Sequence, residues 1–232
     1  MLPVRIAVQG EEWTLAETES PLRFGSFFAG APPSVWEVEI GFGKGRYLLA
    51  QARARPEVGF VGIEVASKYY RSVRHRCREL PNLVLLRGEA VYLMASVLPP
   101  DFARAVHVYF PDPWPKSRHH GRRLFEPESL DLILRLMEPG GSLLFATDSQ
   151  DYGAMVRRLL EEHPGLSVTD AGDQWGVLPR THYEDKYQRE GRAIVRLEAR
   201  LDSRAELVHP RAGLGVVAAV AQWRDPEEDR FS

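Results

Sequence analysis

The sequence holds a single cysteine, Cys77, in 232 residues. That excludes an intramolecular disulfide framework and suits a reducing compartment. No apolar run approaches the length needed to cross a bilayer; the longest, residues 214–221, is far too short. The opening residues, MLPVRIAVQGEEW, lack the charged and then apolar pattern of a secretory leader. The expected location is therefore cytoplasmic, with no membrane partner. His119 and His120 have no cysteine or acid cluster at metal-ligand spacing, so no metal is expected. There is neither an internal repeat nor a low-complexity linker. A hydrophobic share of 44% and a charged share of 27% are ordinary for one globular domain.

Acids are missing from two stretches in particular. Residues 65–78 carry Lys68, Arg71, Arg74, His75, Arg76 and Arg78 with no carboxylate. Residues 113–125 carry Lys116, Arg118, His119, His120, Arg122 and Arg123, again with none. Together they hold nine of the 30 Lys and Arg of a chain whose formal net charge is −2. Local concentration of cations, rather than the net value, sets the field that a phosphate backbone meets. Either stretch alone reads as a solvated face. Both follow strands of one sheet and can share a rim, which favours a patch for an anionic polymer.

From residue 35 onward strands and helices alternate. Strands are expected at 35–40, 60–65, 83–87, 105–110, 142–147, 166–169 and 193–199, with a weak edge strand at 4–8. Helices are expected from residue 46, over 67–80, 90–98, 127–137 and 152–162. In the second of these Tyr70, Val73, Cys77 and Leu80 recur at helical spacing and should face the core. Pro139-Gly140-Gly141 should close the 127–137 helix, and a long loop should precede the last strand. Alternation with a glycine turn after the first strand is the pattern of an α/β, doubly wound, mostly parallel sheet. Residues 1–34 read as a lead-in segment, 35–200 as the domain, and 201–232 as an extension with no assigned role.

The glycine turn itself, Gly41-Phe42-Gly43-Lys44-Gly45, lacks the last glycine of a dinucleotide fingerprint; Arg46 stands there. Glu39 precedes it. S-adenosylmethionine has no pyrophosphate and carries an ammonium at its amino-acid end, which an acid at a strand end suits. Glu64 ends the second strand, 21 residues after Gly43. A carboxylate there can accept both ribose hydroxyls, as in dinucleotide folds. The competing reading is a structural tight turn.

Strand 105–110 stops at Pro111-Asp112-Pro113-Trp114-Pro115. Three prolines in five residues cannot continue a ladder or begin a helix. Asp112 is thereby held at the C-terminal end of a strand, where open α/β sheets place their ligands.

These residues carry a resemblance. Phe110-Pro111-Asp112-Pro113-Trp114 with Lys116 and Arg122-Arg123, Glu39-Ile40-Gly41-Phe42-Gly43, Ala146-Thr147-Asp148 and Thr181-His182-Tyr183-Glu184 together resemble the bacterial tRNA (guanine-N7-)-methyltransferases. The likeness spans roughly residues 35–200. It implies a seven-stranded Rossmann-like methyltransferase sheet with a terminal antiparallel hairpin, and S-adenosyl-L-methionine as cofactor. The implied reaction is methyl transfer to N7 of a tRNA guanine, that of the variable loop at tRNA position 46. The resemblance places Asp112 at the catalytic position. Glu39, Gly41, Gly43, Glu64 and Asp112 would surround the cofactor, and Glu89, where the family carries Asp, would lie near the adenine amino group. Lys116, Asp148, Thr181 and Glu184 would meet tRNA. Asp148 can equally cap the helix after it. Tyr183 is expected to be packed, and Trp114 to brace the proline loop. Monomer and homodimer both remain open. The rival functions are an amino-group nucleic-acid methyltransferase, which also keeps an acid beside proline at that strand end, and a non-catalytic RNA-binding protein on the same fold.

Overall fold

The computed structural model describes residues 4–14, 21–27, 31–114, 123–171 and 181–202. Nine strands form one sheet: β1 Arg5–Val8, β2 Glu11–Thr14, β3 Val35–Ile40, β4 Val58–Glu64, β5 Leu83–Arg87, β6 Ala103–Tyr109, β7 Met137–Thr147, β8 Leu166–Asp170 and β9 Val195–Leu201. The helices are α1 Arg46–Ala54, α2 Ser67–Arg76, α3 Ala90–Tyr92, α4 Pro127–Leu136, α5 Gln150–Glu161 and α6 His182–Arg189. The strand order is β2-β1-β5-β4-β3-β6-β7-β9-β8. Strands β5, β4, β3, β6 and β7 run parallel, while β9 lies antiparallel between β7 and β8. From β3 the chain winds outward to β4 and β5, then returns to start again at β6. The order therefore reverses between β3 and β6, which opens a crevice at their C-terminal ends.

The central strands are apolar because helices cover both faces. Every residue of β4 is buried. On one face Leu48, Leu49 and Ala52 of α1 meet Tyr70 and Val73 of α2. On the other, Leu130, Ile133 and Leu134 of α4 join Tyr152, Val156 and Leu160 of α5. Tyr70, Val73, Cys77 and Leu80 are all buried, as their spacing requires. Phe24 of the lead-in segment stacks on Trp36 at 4.6 Å.

The sheet differs from a seven-stranded one at its amino-terminal edge. β1 pairs antiparallel with β5, and β2 extends it through a two-residue turn, Gln9-Gly10, with φ of 51° and 81°. Two left-handed residues give such turns the twist of the flanking strands. β2 escapes sequence reading because all four of its residues are exposed. Three further boundaries move. Helix α2 ends at Arg76, and Leu80 closes a separate turn by donating to the Cys77 carbonyl. The segment after α3 is a π-helical turn, Leu93–Val97. Pro139-Gly140-Gly141 does not follow α4 as a loop; it lies inside β7, where the register with β6 shifts between Ala103 and Ala105. Proline and glycine mark such irregularities within sheets. Residues 203–232, most of the extension, lie outside the described residues.

Gly62 on β4 fixes how closely the glycine turn approaches the sheet. A Cβ there would lie 2.4 Å from Leu48 Cδ2 and 2.8 Å from Phe42 Cδ1. Gly62→Ala should destabilise the fold by about 1–3 kcal/mol, the usual cost of overpacking, measured as a lowered midpoint in urea with an unchanged m-value.

Candidate functional site

The turn between β3 and α1 is shaped by three glycines with positive φ: Gly41 at 75°, Gly43 at 51° and Gly45 at 66°. Side chains rarely adopt that conformation. A Cβ on Gly41 or Gly43 would meet no atom within 4 Å among the described residues, so the strain, not crowding, selects glycine there and leaves the backbone open to a ligand. Gly45 differs, since its Cβ would lie 2.6 Å from Val73 Cγ2. Glu64 holds the turn. Its two carboxylate oxygens accept from Gly43 N–H at 2.8 Å and Ala66 N–H at 2.9 Å. Burial raises the Glu64 carboxyl, against those two bonds, and Asp112 is near enough to push it further.

Glu37 and Glu39 share one face of β3 and have opposite electrostatic situations. Burial pushes Glu37 up, but His107 and Arg55 outweigh it and hold its carboxyl down at about 2. Arg55 binds it with both terminal nitrogens, at 2.6 and 2.7 Å, and His107 Nε2 lies at 3.1 Å. His107 Nδ1 faces the hydroxyls of Tyr109 at 2.9 Å and Tyr47 at 3.3 Å. Glu39 has no cation. It is 4% exposed, and burial together with the charge of Glu64 pushes its carboxyl up to about 8. Its Oε2 is buried without a hydrogen-bond partner. An orphaned carboxylate oxygen beside an open glycine turn fits the ammonium of S-adenosylmethionine, which would be both donor and counter-charge.

Beyond β6 the backbone is strained. Phe110 at φ 53° and Trp114 at φ 40° are non-glycine residues in the left-handed region, and they bracket Pro111-Asp112-Pro113. Phe110 N–H donates to the Ala146 carbonyl at 2.7 Å, anchoring the loop's root to β7. Arg123 anchors its far side. It donates to the Pro113 carbonyl at 2.8 Å and the Trp114 carbonyl at 3.3 Å, with its guanidinium 5.3 Å from the Tyr152 ring centre. This cation of the basic stretch thus braces the loop. Asp112 is left exposed at its tip.

Thr181-His182-Tyr183-Glu184 is the start of α6, where a loop was expected. Thr181 Oγ1 accepts from Glu184 N–H at 3.0 Å, an N-terminal cap. The T-x-x-E spacing is itself a helix-start pattern, and reading it as such would have located α6. Glu184 turns to Arg196 of β9 at 2.7 Å. Asp148 does not cap α5; Ser149 does, accepting from Tyr152 N–H at 3.4 Å. Asp148 instead binds Arg192 at 2.8 Å. Arg46, the first residue of α1, is ion-paired with Asp185. Tyr183 and Tyr187 approach Phe110 with ring centres at 6.3 and 5.5 Å. Tyr183 is 40% exposed rather than fully packed, and it shares a hydrogen bond with Tyr69 of α2.

Glu39, Gly41, Gly43, Glu64 and Asp112 therefore gather at the C-terminal ends of β3, β4 and β6, with Asp148, Thr181 and Glu184 along the α6 side. Glu89 follows β5, where Gly88 N–H donates to the Glu64 carbonyl at 3.2 Å, and caps α3 by accepting from Tyr92 N–H at 2.8 Å. Lys116 lies outside the described residues, as do Arg118, His119, His120 and Arg122. Sequence reasoning missed Arg46, Tyr69 and Asp185, whose partners are remote along the chain. Among the described residues no group of three or more His, Cys, Asp or Glu could hold a metal ion, and no helix is long and apolar enough to cross a membrane.

A doubly wound sheet with an acid, a glycine turn and a second acid at successive strand ends fits a methyltransferase-type α/β protein. The family model described as "Putative methyltransferase" matches residues 33–197. A tRNA (guanine-N(7)-)-methyltransferase of Nitrosococcus oceani is 39% identical over 173 residues, 72% of each chain. One from Bordetella pertussis is 36% identical over 187 residues, covering 79% of this chain and 73% of its own. The chain belongs to this methyltransferase family. Among solved structures, the 16S rRNA methyltransferase KamB superposes with a TM-score of 0.57 at 16% identity, over 87% of this chain and all of its own. A 16S rRNA (adenine(1408)-N(1))-methyltransferase from Catenulisporales acidiphilia, with its cosubstrate SAM, gives 0.54 at 18% identity, over 90% of this chain and 98% of its own. At such identities these two share the fold.

A cofactor ammonium seated on Glu39 would make binding pH-dependent. Near pH 7 its carboxyl, at about 8, holds a proton that an incoming ammonium must displace. Affinity for S-adenosylmethionine should rise as pH climbs from about 6 to 8, by up to about tenfold per unit, and level off above. Calorimetry in buffers of different ionisation heat should register the released proton. Because the folded carboxyl lies above its ordinary value, the native state binds the extra proton, and this group's contribution to stability falls as pH rises towards 8. Glu39→Gln should flatten that fall and weaken the cofactor at least about tenfold.

Proposed function

We propose that this protein transfers a methyl group from S-adenosylmethionine to N7 of a guanine in tRNA, the activity its curated relatives are named for. The observation that carries the reading is Asp112, presented on a strained and braced loop near Glu64. Residues 35–200 are the catalytic body, acting on cytoplasmic tRNA, and the family resemblance points to the variable-loop guanine.

When bound, the cofactor supplies an electrophilic methyl group on a positively charged sulfur. Glu39 receives its ammonium. Gly41 and Gly43 admit its close approach to the backbone. Glu64, whose carboxylate accepts from the Gly43, Ala66 and Val65 N–H groups, offers its remaining acceptor capacity to the ribose hydroxyls. Glu89, already fixed by its cap, lies on the adenine side. Guanine N7 has an in-plane lone pair and no proton, so the attack needs no general base. What the protein must provide is alignment, worth about 7–11 kcal/mol, and a fixed negative charge as the positive charge passes from sulfur to purine. Asp112 serves that purpose and can accept from the exocyclic hydrogens of the base. Lys116, Asp148, Thr181 and Glu184 act on the tRNA side, Asp148 and Glu184 in concert with Arg192 and Arg196. Extruding the guanine costs a few kcal/mol, offset by phosphate contacts.

Mass spectrometry of nucleosides from unmodified tRNA, incubated with the protein and labelled S-adenosylmethionine, should reveal labelled 7-methylguanosine. Label in an amino-methylated nucleoside would transfer the assignment to that chemistry, and bound tRNA without label would make this a binding protein. Asp112→Ala should leave the cofactor Kd within about twofold and lower kcat by about 10²–10³. Equal loss of both would assign Asp112 to the cofactor instead.

A further inference from the structure

Helix α2 carries a row of cations that the site described above does not use. Residues 67–78 hold five Lys and Arg and no acid; the first acid, Glu79, follows Arg78 in the turn after the helix. The structure separates these by occupation. Arg74 is ion-paired with Glu12 of β2 at 2.7 Å, and Arg76 donates to the Lys44 carbonyl at 2.8 Å. Lys68, Arg71, His75 and Arg78 are all exposed. Lys68 and Arg71 have no ion-pair or hydrogen-bond partner among the described residues, and Arg78 reaches only the His75 ring, at 3.1 Å. A helix whose outer face is merely solvated ordinarily carries both signs, with acids placed to pair with its bases. This one carries a single sign.

Its position matters as much as its charge. Lys68, Arg71 and His75 follow helical spacing on one face, about 10 Å of helix. The row starts where α2 does, directly after the C-terminal end of β4, and Tyr69, about 100° round the helix from Lys68, is hydrogen-bonded to Tyr183, which packs near Phe110 at the root of the Asp112 loop. The row therefore begins at the rim of the catalytic crevice and leads away from it.

We propose that this face of α2 is a track for the substrate's phosphate backbone, with Lys68 and Arg71 contacting phosphates next to the extruded base and Arg78 extending the contact outward. It rests on the tRNA reading above and assigns that substrate a direction of approach. The face is an exposed, one-signed surface beside the reacting end, and its partner is RNA because a polyanion is the charge complement it lacks within the chain.

The test is direct binding of an unmodified tRNA transcript, measured without turnover, between about 0.05 and 0.3 M salt. For the Lys68→Ala/Arg71→Ala double variant, Kd should rise on the order of tenfold or more, and the salt slope should fall by about two. The S-adenosylmethionine Kd should be unchanged. Arg104→Ala serves as the control; it lies at the start of β6, opposite Asp112 along the strand, with a 64% exposed side chain. It should leave Kd and slope as they are. An unchanged slope in the double variant, or an equal loss in Arg104→Ala, would overturn the proposal. Because binding is read without methylation, a protein that binds tRNA through this face yet transfers no label would keep the track and refute the activity.

Discussion

Glu64 joins the two turns on which the site is built. One carboxylate spans Gly43 N–H and Ala66 N–H, tying the loop after β3 to the loop after β4. Both N–H groups sit near helix starts, where backbone donors lack internal partners. Satisfying them with one buried side chain sets the entry of α1 and α2 together. The glycine turn, the position of Arg46 and the approach of Tyr69 to α6 all follow from that setting. An acid that also faces a ligand's hydroxyls can serve this double purpose because each oxygen accepts more than once.

The contrast between Glu37 and Glu39 shows how one strand face carries two different functions. Two residues apart on β3, both are buried. Glu37 is bound inside the protein by Arg55 and His107, and its hydrogen bonds join α1, β3 and β6. A connected cluster of this kind rigidifies what it touches. Glu39 has been given no internal cation, which costs stability at neutral pH and creates a demand that a cationic ligand answers. The rigid neighbour matters to the demanding one: Tyr47 and Tyr109 line the space beside Glu39, and their hydroxyls are held by His107.

Much of this was legible in the residues. Strands β3 to β7 read correctly as apolar runs between turn signals, since parallel strands covered on both faces have little else to be. The glycine turn and the proline loop are local devices, set by residues that permit or forbid particular backbone angles, and such devices survive in a sequence without context. What remained hidden depends on distance along the chain. Glu37 reads as an outward polar residue until Arg55 and His107, 18 and 70 residues away, are seen around it. Helix α6 hides because His182-Tyr183-Glu184-Asp185-Lys186-Tyr187 shows no apolar stripe; ion pairs and tyrosine rings hold it in place instead. Its one local sign is the Thr181 cap. Arg123 illustrates the opposite error, a cation counted towards a surface that is in fact bound to the loop it follows.

The antiparallel strand β9 has a consequence for how the molecule is made. It lies between β7 and β8, so β8 has no partner in the sheet until β9 has been synthesised. Through that interval β7 presents an unpaired edge of apolar residues, Leu143 and Phe145 among them. At ~5–20 residues per second on the ribosome, the nascent chain carries an open sheet edge for several seconds. Open edges invite pairing with other chains. The newborn protein is thus most vulnerable to aggregation just before its last described strand emerges, and completion of the sheet is a single late event that closes the fold and brings Arg196 to Glu184 at once.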